Sequence, residues 1–259
     1  MSAEARPGFA RDLEAAVLRA QEHLFGLQKP EGCWNGELLV DSTLVSDTVI
    51  YHHWNGKVDR AWQRKAVNHI FSMQLPDGGW NIYHNGPSEV NATIKAYLAL
   101  KLAGVPVTDP RMLKAREVAL HFGGVPRMNT FSKLYLALLG LFPWEHVPTI
   151  PCEVLLIGKW FHVNFWDMSN WSRAMLVPLA IISHFKPTRP PKNNVNLDEL
   201  YPHGFHERDL ALPPDPERIS LRNFFLWLDR LHKLAEWFAE HNIHPFRKRA
   251  LRKCEQWML

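Results

Sequence analysis

The residues able to do chemistry are numerous but dispersed. Eleven aspartates are spread over 259 residues and no two are adjacent. The chain therefore lacks paired carboxylates of the kind that share one proton and split into an acid and a base. Asp41 and Asp47 stand six apart, out of phase for a dyad on one helix. His52 and His53 are neighbours and so face different ways on a helix, while His203 and His206 share a stretch with Glu207 and Asp209, a weak ligand spacing. The cysteines Cys33, Cys152 and Cys254 form no CxxC pair and suggest neither a disulfide frame nor a zinc site. No metal is expected. Reduced thiols fit a cytoplasmic protein, and Cys33, in a tight turn beside Trp34, is expected to be packed. What the chain has in excess is aromatic surface. Eleven tryptophans either fill a wide interior or expose an aromatic face, and aromatic faces attract cations.

Positioning these groups falls to a repeat. Gln28-Lys29-Pro30-Glu31-Gly32-Cys33-Trp34 and Gln74-Leu75-Pro76-Asp77-Gly78-Gly79-Trp80 both read Gln, three residues, Gly, one residue, Trp, and they lie 46 residues apart. Each closes a segment of helical periodicity: Leu13, Val17, Ala20, Leu24 and Leu27 before the first, and Trp62, Ala66, Ile70 and Met73 before the second. Each precedes another helix, Ser42 to Trp54 and Asn91 to Ala103. Recurrence at this period means helical-hairpin units in series. The Gln amide is expected to serve orphan carbonyls at the helix end, Gly to permit the turn, and Trp to lie over the junction and stack on its neighbours. Gln28, Gly32, Trp34, Gln74, Gly78 and Trp80 are thus structural.

Asp109-Pro110 reads as an N-cap and first helical residue. That helix ends near Phe122, where Leu120-His121-Phe122-Gly123-Gly124 is a degenerate third copy, followed by a helix over 130–141. Residues 144–165 are apolar but carry no clear period. Trp171 to Phe185 is helical around an internal Pro178. Seven prolines between 186 and 220 predict an extended, surface-running connection. Leu221 to about Glu240 is helical, and His244-Pro245 precedes a last helix. The net charge of +4 comes from scattered basic residues rather than a stripe, so nucleic acid is not an expected partner. No signal-peptide layout opens the chain and no apolar run is long enough to cross a bilayer.

The repeat phrase resembles the QW motif of triterpene cyclases. The likeness extends collinearly through Gly36-Glu37-Leu38-Leu39-Val40-Asp41-Ser42-Thr43-Leu44-Val45-Ser46-Asp47, Thr93-Ile94-Lys95-Ala96-Tyr97-Leu98-Ala99-Leu100-Lys101, Pro143-Trp144-Glu145, Trp171-Ser172-Arg173-Ala174 with Val177-Pro178-Leu179, and His244-Pro245-Phe246-Arg247. It implies an all-α protein, an α/α-barrel (toroid) of helical hairpins resembling the N-terminal half of a squalene-hopene cyclase and spanning residues 1–259. It implies cyclisation of squalene or a related linear isoprenoid through carbocations, in hopanoid biosynthesis, with no metal or organic cofactor. The Asp-x-Asp-Asp acid of the family's C-terminal half is absent, as is the Asp-Asp-x-x-Asp motif of ionisation-type terpene synthases. The chain is therefore expected to be inactive alone and to need a second chain carrying the catalytic barrel. Gln256-Trp257-Met258-Leu259 reads as a helix tail where the next repeat should begin.

By the same resemblance Trp171, Phe131, Tyr135 and Arg127 line the substrate cavity, and Asp47 marks its deprotonation end. Ordinary helix packing is the competing reading for Phe131 and Tyr135. Val45 departs from the Glu that relatives often carry. Phe224, Phe225, Leu226, Trp227 and Leu228, flanked by Arg222, Arg230 and Lys233, resemble the membrane-dipping helix beside the substrate channel, placing the protein peripherally on the inner membrane. A buried helix at the barrel edge, or an interface with a missing half, would look similar. Competing functions are a non-catalytic isoprenoid-binding or interaction module and the relic of a split gene.

Overall fold

The structure, a computed structural model, describes residues 8–36, 40–162, 164–206, 210, 214–241 and 246–259. Among these residues the regular structure is helical, apart from one isolated bridge between Pro202 and Gly204. The chain divides into two units, residues 1–40 and 41–259.

The first unit consists of α1 (Phe9–Gly26) and the first Gln-Gly-Trp turn. Lys29 N–H donates to Cys33 O and Gly32 N–H to Lys29 O, both at 2.9 Å. Gln28 Nε2 donates to Gly32 O at 2.8 Å, and Trp34 Nε1 to Leu24 O at 2.6 Å. Cys33 is exposed rather than packed.

The second unit repeats this network after α3 (Arg60–Ser72). Leu75 N–H meets Gly79 O and Gly78 N–H meets Leu75 O at 2.9 Å. Gln74 Nε2 donates to Gly78 O at 2.7 Å, and Trp80 Nε1 to Ile70 O at 2.7 Å. The division of labour differs from the sequence expectation. The indole serves the helix-end carbonyl, ten residues back, while the glutamine closes the turn. In the second copy Gln74 Nε2 also reaches Arg111 O at 2.9 Å on the next outer helix, so one turn joins two helices.

Helices α2 (Ser42–Asn55), α4 (Val90–Leu102) and α6 (Thr130–Leu138) form an inner row, with α2 packed on both others. Outside them, α3 packs on α2 and α4, and α5 (Pro110–His121) on α4. This inner–outer alternation is that of α/α hairpin folds. Each start is set by a capping side chain, from Asp41, Asp59, Glu89, Asp109 and Asn129. Helix α4 is apolar nearly all round and is buried on most sides, as its pattern requires. The third turn keeps only its glycines: a Cβ on Gly124 would lie 2.0 Å from Leu200 O.

That contact belongs to the proline-rich connection, which does more than run over the surface. Leu197, Leu200, Tyr201 and Leu210 are buried in the main core. Glu199 accepts from Tyr97 Oη at 2.9 Å and from Lys101 Nζ at 2.5 Å. Residues 144–167 supply three 3-10 turns, Trp144–His146, Cys152–Leu156 and Phe165–Asp167. The last two join α7 (Asn170–Phe185) and α9 (Arg247–Met258) in a second core of Cys152, Leu155, Phe165, Val177, Ala180, Ala250 and Cys254. Trp257 packs edge-on against Phe165 there, with centroids 5.7 Å apart. Helix α8 (Leu221–His241) precedes α9; Glu37-Leu38-Leu39 and His244-Pro245 of the expected motifs lie outside the described residues.

Among the described residues one lysine is buried without a counterion. Lys133 on α6 is fully inaccessible, and its Nζ has no hydrogen-bond partner among the described residues. The ammonium lies 5.4 Å from the Phe142 ring centroid, and desolvation pushes its pKa down to about 8.

Two stability predictions follow from these contacts. Gly78 has φ +102°, and a Cβ there would sit 2.4 Å from Lys114 Cβ, whereas Gly32, at φ +83°, has nothing within 4 Å. Gly78→Ala is expected to lower stability by about 3 kcal/mol, from strain plus overpacking, and Gly32→Ala by about 1 kcal/mol, from strain alone, in denaturant titrations of the whole chain. For Lys133, the unfolded chain holds its proton up to the ordinary 10.5 while the folded one releases it near 8. The unfolded state therefore binds more protons across that window, and stability rises with pH through it. Lys133→Met is expected to abolish this slope and to raise stability at pH 7 by roughly 2 kcal/mol, read as paired denaturation curves at pH 7 and pH 10.

Candidate functional site

The three inner helices each contribute one residue to a shared contact. Lys95 on α4 places Nζ 2.9 Å from Asp47 Oδ2 on α2 and 4.7 Å from the ring centroid of Tyr135 on α6. Both charged side chains are largely withdrawn from solvent, Lys95 to 12% and Asp47 to 17%. Burial pushes the Asp47 carboxyl up from its ordinary value, and the ammonium only partly offsets this. Asp47 Oδ1 is buried with no partner among the described residues. The Tyr135 hydroxyl is raised by burial and, to a lesser degree, by Asp47.

Of the five residues assigned to a cavity by resemblance, the structure brings Asp47 and Tyr135 together, with Lys95 between them. Phe131 lies one helical turn before Tyr135 and is 51% exposed. Trp171, in the first turn of α7, is 71% exposed. Arg127 is exposed in a 3-10 turn and lies beside Gly123. No described hydrogen bond, ion pair or ring contact joins Trp171 or Arg127 to the Asp47–Lys95–Tyr135 contact. Open pockets of about 580, 350 and 440 Å³ are lined by other residues.

The sequence reading missed Lys95 and Lys133. Both had a visible signal: a charged residue inside an otherwise apolar helical stretch, Ile94-Lys95-Ala96 and Ser132-Lys133-Leu134. Such a residue must find a partner, or its charge is costly. Val45, the noted departure, packs half-buried against the main core.

Helix α8 has two contrasting faces. On one, Asp229 accepts from Thr149 N–H at 2.7 Å, and Lys233 pairs with Asp229 at 2.7 Å and donates to Glu145 O at 2.9 Å. Half-buried Leu226 shares this anchored face. Opposite it, Phe224, Phe225, Trp227, Leu228, Leu231 and Leu234 are exposed, with Phe224 and Trp227 stacked at 6.5 Å. The five-residue apolar run therefore splits: four residues face outward, and Leu226 faces inward. Lys233 is engaged by protein groups. Among the described residues no helix is long and apolar enough to cross a membrane.

The adjacent pair of histidines serves local contacts. His52 Nδ1 lies 3.0 Å from Lys57 O, and His53 Nε2 lies 2.8 Å from Gln63 Oε1. Glu207 and Asp209 lie outside the described residues. Among the described residues no cluster of three or more His, Cys, Asp or Glu could hold a metal.

Comparison with known proteins agrees with this architecture. The family model described as squalene-hopene cyclase N-terminal domain matches residues 17–259. The chain is 34% identical to a dammaradiene synthase of Dryopteris crassirhizoma, over 95% of this chain and 35% of that protein. It is 33% identical to squalene–hopene cyclases of Alicyclobacillus acidocaldarius, over 98% of this chain and 38% of that one, and of Zymomonas mobilis, over 94% and 36%. It thus spans little more than a third of the length of these relatives. Turns of matching geometry, capped helical hairpins and similarity along nearly the whole chain converge on one assignment: the chain belongs to the squalene-hopene cyclase N-terminal domain family.

Proposed function

We propose that this chain supplies one wall of a triterpene cyclase cavity and a membrane-contacting helix, and that it binds a linear isoprenoid such as squalene. The observation that carries the reading is the family match over residues 17–259, to relatives named for squalene cyclisation. The exposed aromatics Trp171 and Phe131 supply the hydrocarbon-facing surface that such a ligand needs. Squalene is nearly insoluble in water, and the outward apolar face of α8 suits uptake from a bilayer. The protein on this reading is peripheral on a membrane.

No group within these residues can protonate an alkene: the aspartates are isolated, and Asp47 is tied to Lys95. Cyclisation therefore requires an acid from elsewhere, in further sequence or in a second polypeptide carrying a catalytic barrel.

The 259-residue chain is expected to co-sediment with vesicles of mixed neutral and anionic phospholipid. Phe224→Ser/Trp227→Ser is expected to reduce the bound fraction at least about tenfold, since two large apolar side chains leave the bilayer. Squalene carried in those vesicles is expected to quench tryptophan fluorescence, to do so less in Trp171→Phe, and to give no cyclised product. Vesicle binding unaltered by the α8 changes would remove the membrane role. Absence of any squalene-dependent signal would remove the isoprenoid role. Cyclisation by the chain alone would refute the need for an outside acid.

A further inference from the structure

A cavity of about 580 Å³ opens between the C-terminal end of α2, the start of α3, the end of α4 and the proline-rich connection. Its lining includes Arg60 and Arg64, one helical turn apart on α3, and Lys192 from the connection. Among the described residues no aspartate or glutamate lines it. None of the three cations makes an ion pair or a side-chain hydrogen bond with a described residue. Asp59 attracts Arg64, but it is exposed, and its Oδ1 is taken by the N–H groups of Ala61 and Trp62. Burial holds the His53 pKa below its ordinary value, so this lining residue adds no charge at neutral pH. Arg189 adds a fourth positive charge at the edge. Its Nη1 donates to Asn55 O at 3.0 Å, and its Nη2 would lie 2.9 Å from a Cβ on the lining residue Gly56. We propose that this cavity binds a phosphoryl group, free or as the head of a lipid, through Arg60, Arg64 and Lys192. The proposal is independent of the isoprenoid reading above.

The backbone that carries these cations is tied in place. Lys192 sits in a turn closed by Asn194 N–H to Pro191 O at 3.3 Å. The next residue, Asn193, also lines the cavity, and its Nδ2 donates to Leu102 O at 3.1 Å in the last turn of α4. Arg189 N–H holds the same segment to Leu138 O at 2.8 Å. On α3, Asp59 caps the first turn, and Gln63 Oε1 lies 2.8 Å from His53 Nε2 of α2. Binding therefore orders little backbone, and its cost is lower for that reason. Like charges facing one cavity repel each other, and an anion between them relieves that repulsion. A guanidinium offers parallel N–H donors that match phosphate oxygens, and the lysine adds a point charge. A single carboxylate would leave most of this charge unbalanced, whereas a phosphoryl group carries up to two negative charges on three acceptor oxygens.

The test measures binding of inorganic pyrophosphate to the whole chain by calorimetry at low salt. A second arm compares retention on phosphatidylcholine vesicles with and without phosphatidic acid; contact through α8 is common to both vesicles and cancels. Arg64→Ala/Lys192→Ala is expected to weaken binding at least about tenfold. Arg60→Gln is expected to weaken it in the same direction, as an independent variant. Arg64→Lys keeps the charge but loses the fork, and is expected to fall between wild type and the double variant. Lys248→Ala/Arg252→Ala removes the same charge from exposed positions on α9 and is expected to leave binding unchanged. Pyrophosphate binding that weakens in the cavity variants and not in the α9 control assigns a soluble phosphoryl ligand. Should pyrophosphate not bind while the gain from phosphatidic acid follows the same pattern, the lipid headgroup is the source. Absence of binding to either probe, binding indifferent to the cavity variants, or equal weakening by the α9 control overturns the inference.

Discussion

A hydrogen bond from a tryptophan ring to the end of a helix holds the layers of this fold together. A helix leaves its last four carbonyls unpaired, and in a stack of hairpins those ends lie where water cannot reach all of them. Trp80 is fully buried, and its indole N–H meets Ile70 O at 2.7 Å, in the last turn of α3. The backbone of the same residue works in the other direction. Trp80 O accepts from Glu89 N–H at 2.9 Å, and Trp80 N–H donates to Thr93 Oγ1 at 3.2 Å, which ties the start of α4. One residue therefore fixes the end of an outer helix and the start of an inner one. Gln74 extends the tie to α5 through Arg111 O. A shift of this junction would move α4 along its axis and carry Lys95 away from Asp47 and Tyr135.

Most of this was legible because it is local. Helix starts follow from Asp41, Asp59, Asp109 and Asn129, whose short side chains can bond their own backbone just ahead. The turns follow from Gly32 and Gly78, whose positive φ other residues resist. What escaped the sequence is what depends on distant partners. Seven prolines reveal that residues 186–220 are not helical, but they say nothing about burial. Leu197 and Leu200 are buried because Glu199, between them, is drawn to Tyr97 and Lys101 of α4. Trp34 and Trp80 occupy equivalent places in the motif, yet one is 48% exposed and the other fully buried. Around the second turn α5 closes on Gly78, where a Cβ would lie 2.4 Å from Lys114 Cβ; within the first unit, no described residue comes within 4 Å of a Cβ at Gly32.

The residues assigned to a cavity were named through resemblance alone, and resemblance says nothing of a side chain's surroundings. Asp47 and Tyr135 do share a site, but an ammonium stands between them. Arg127 sits in a 3-10 turn that follows Gly123 and Gly124, and its side chain lies against Gly123. The exposure of Trp171 and Phe131 has a simple physical source. No described residue lies over these two rings closely enough to bury them. The same holds for α8, whose anchored face spends its charges on Thr149 and Glu145 and leaves the opposite, apolar face outward.

Architecture and chemistry are held by different layers of this protein. The Gln-Gly-Trp bonds join outer-helix ends to turns and to the neighbouring outer helix, and none of them touches Asp47, Lys95 or Tyr135. A charge change on the inner row therefore leaves the bonds that define the fold intact. The buried charges of α2 and α4, Asp47 and Lys95, are paired with each other, whereas Lys133 on α6 has no partner among the described residues. Family membership, carried by turns and caps, then constrains the packing of the inner helices but not the sign of their electrostatic potential. That sign depends on single side chains such as Lys95, whose ammonium lies 2.9 Å from Asp47.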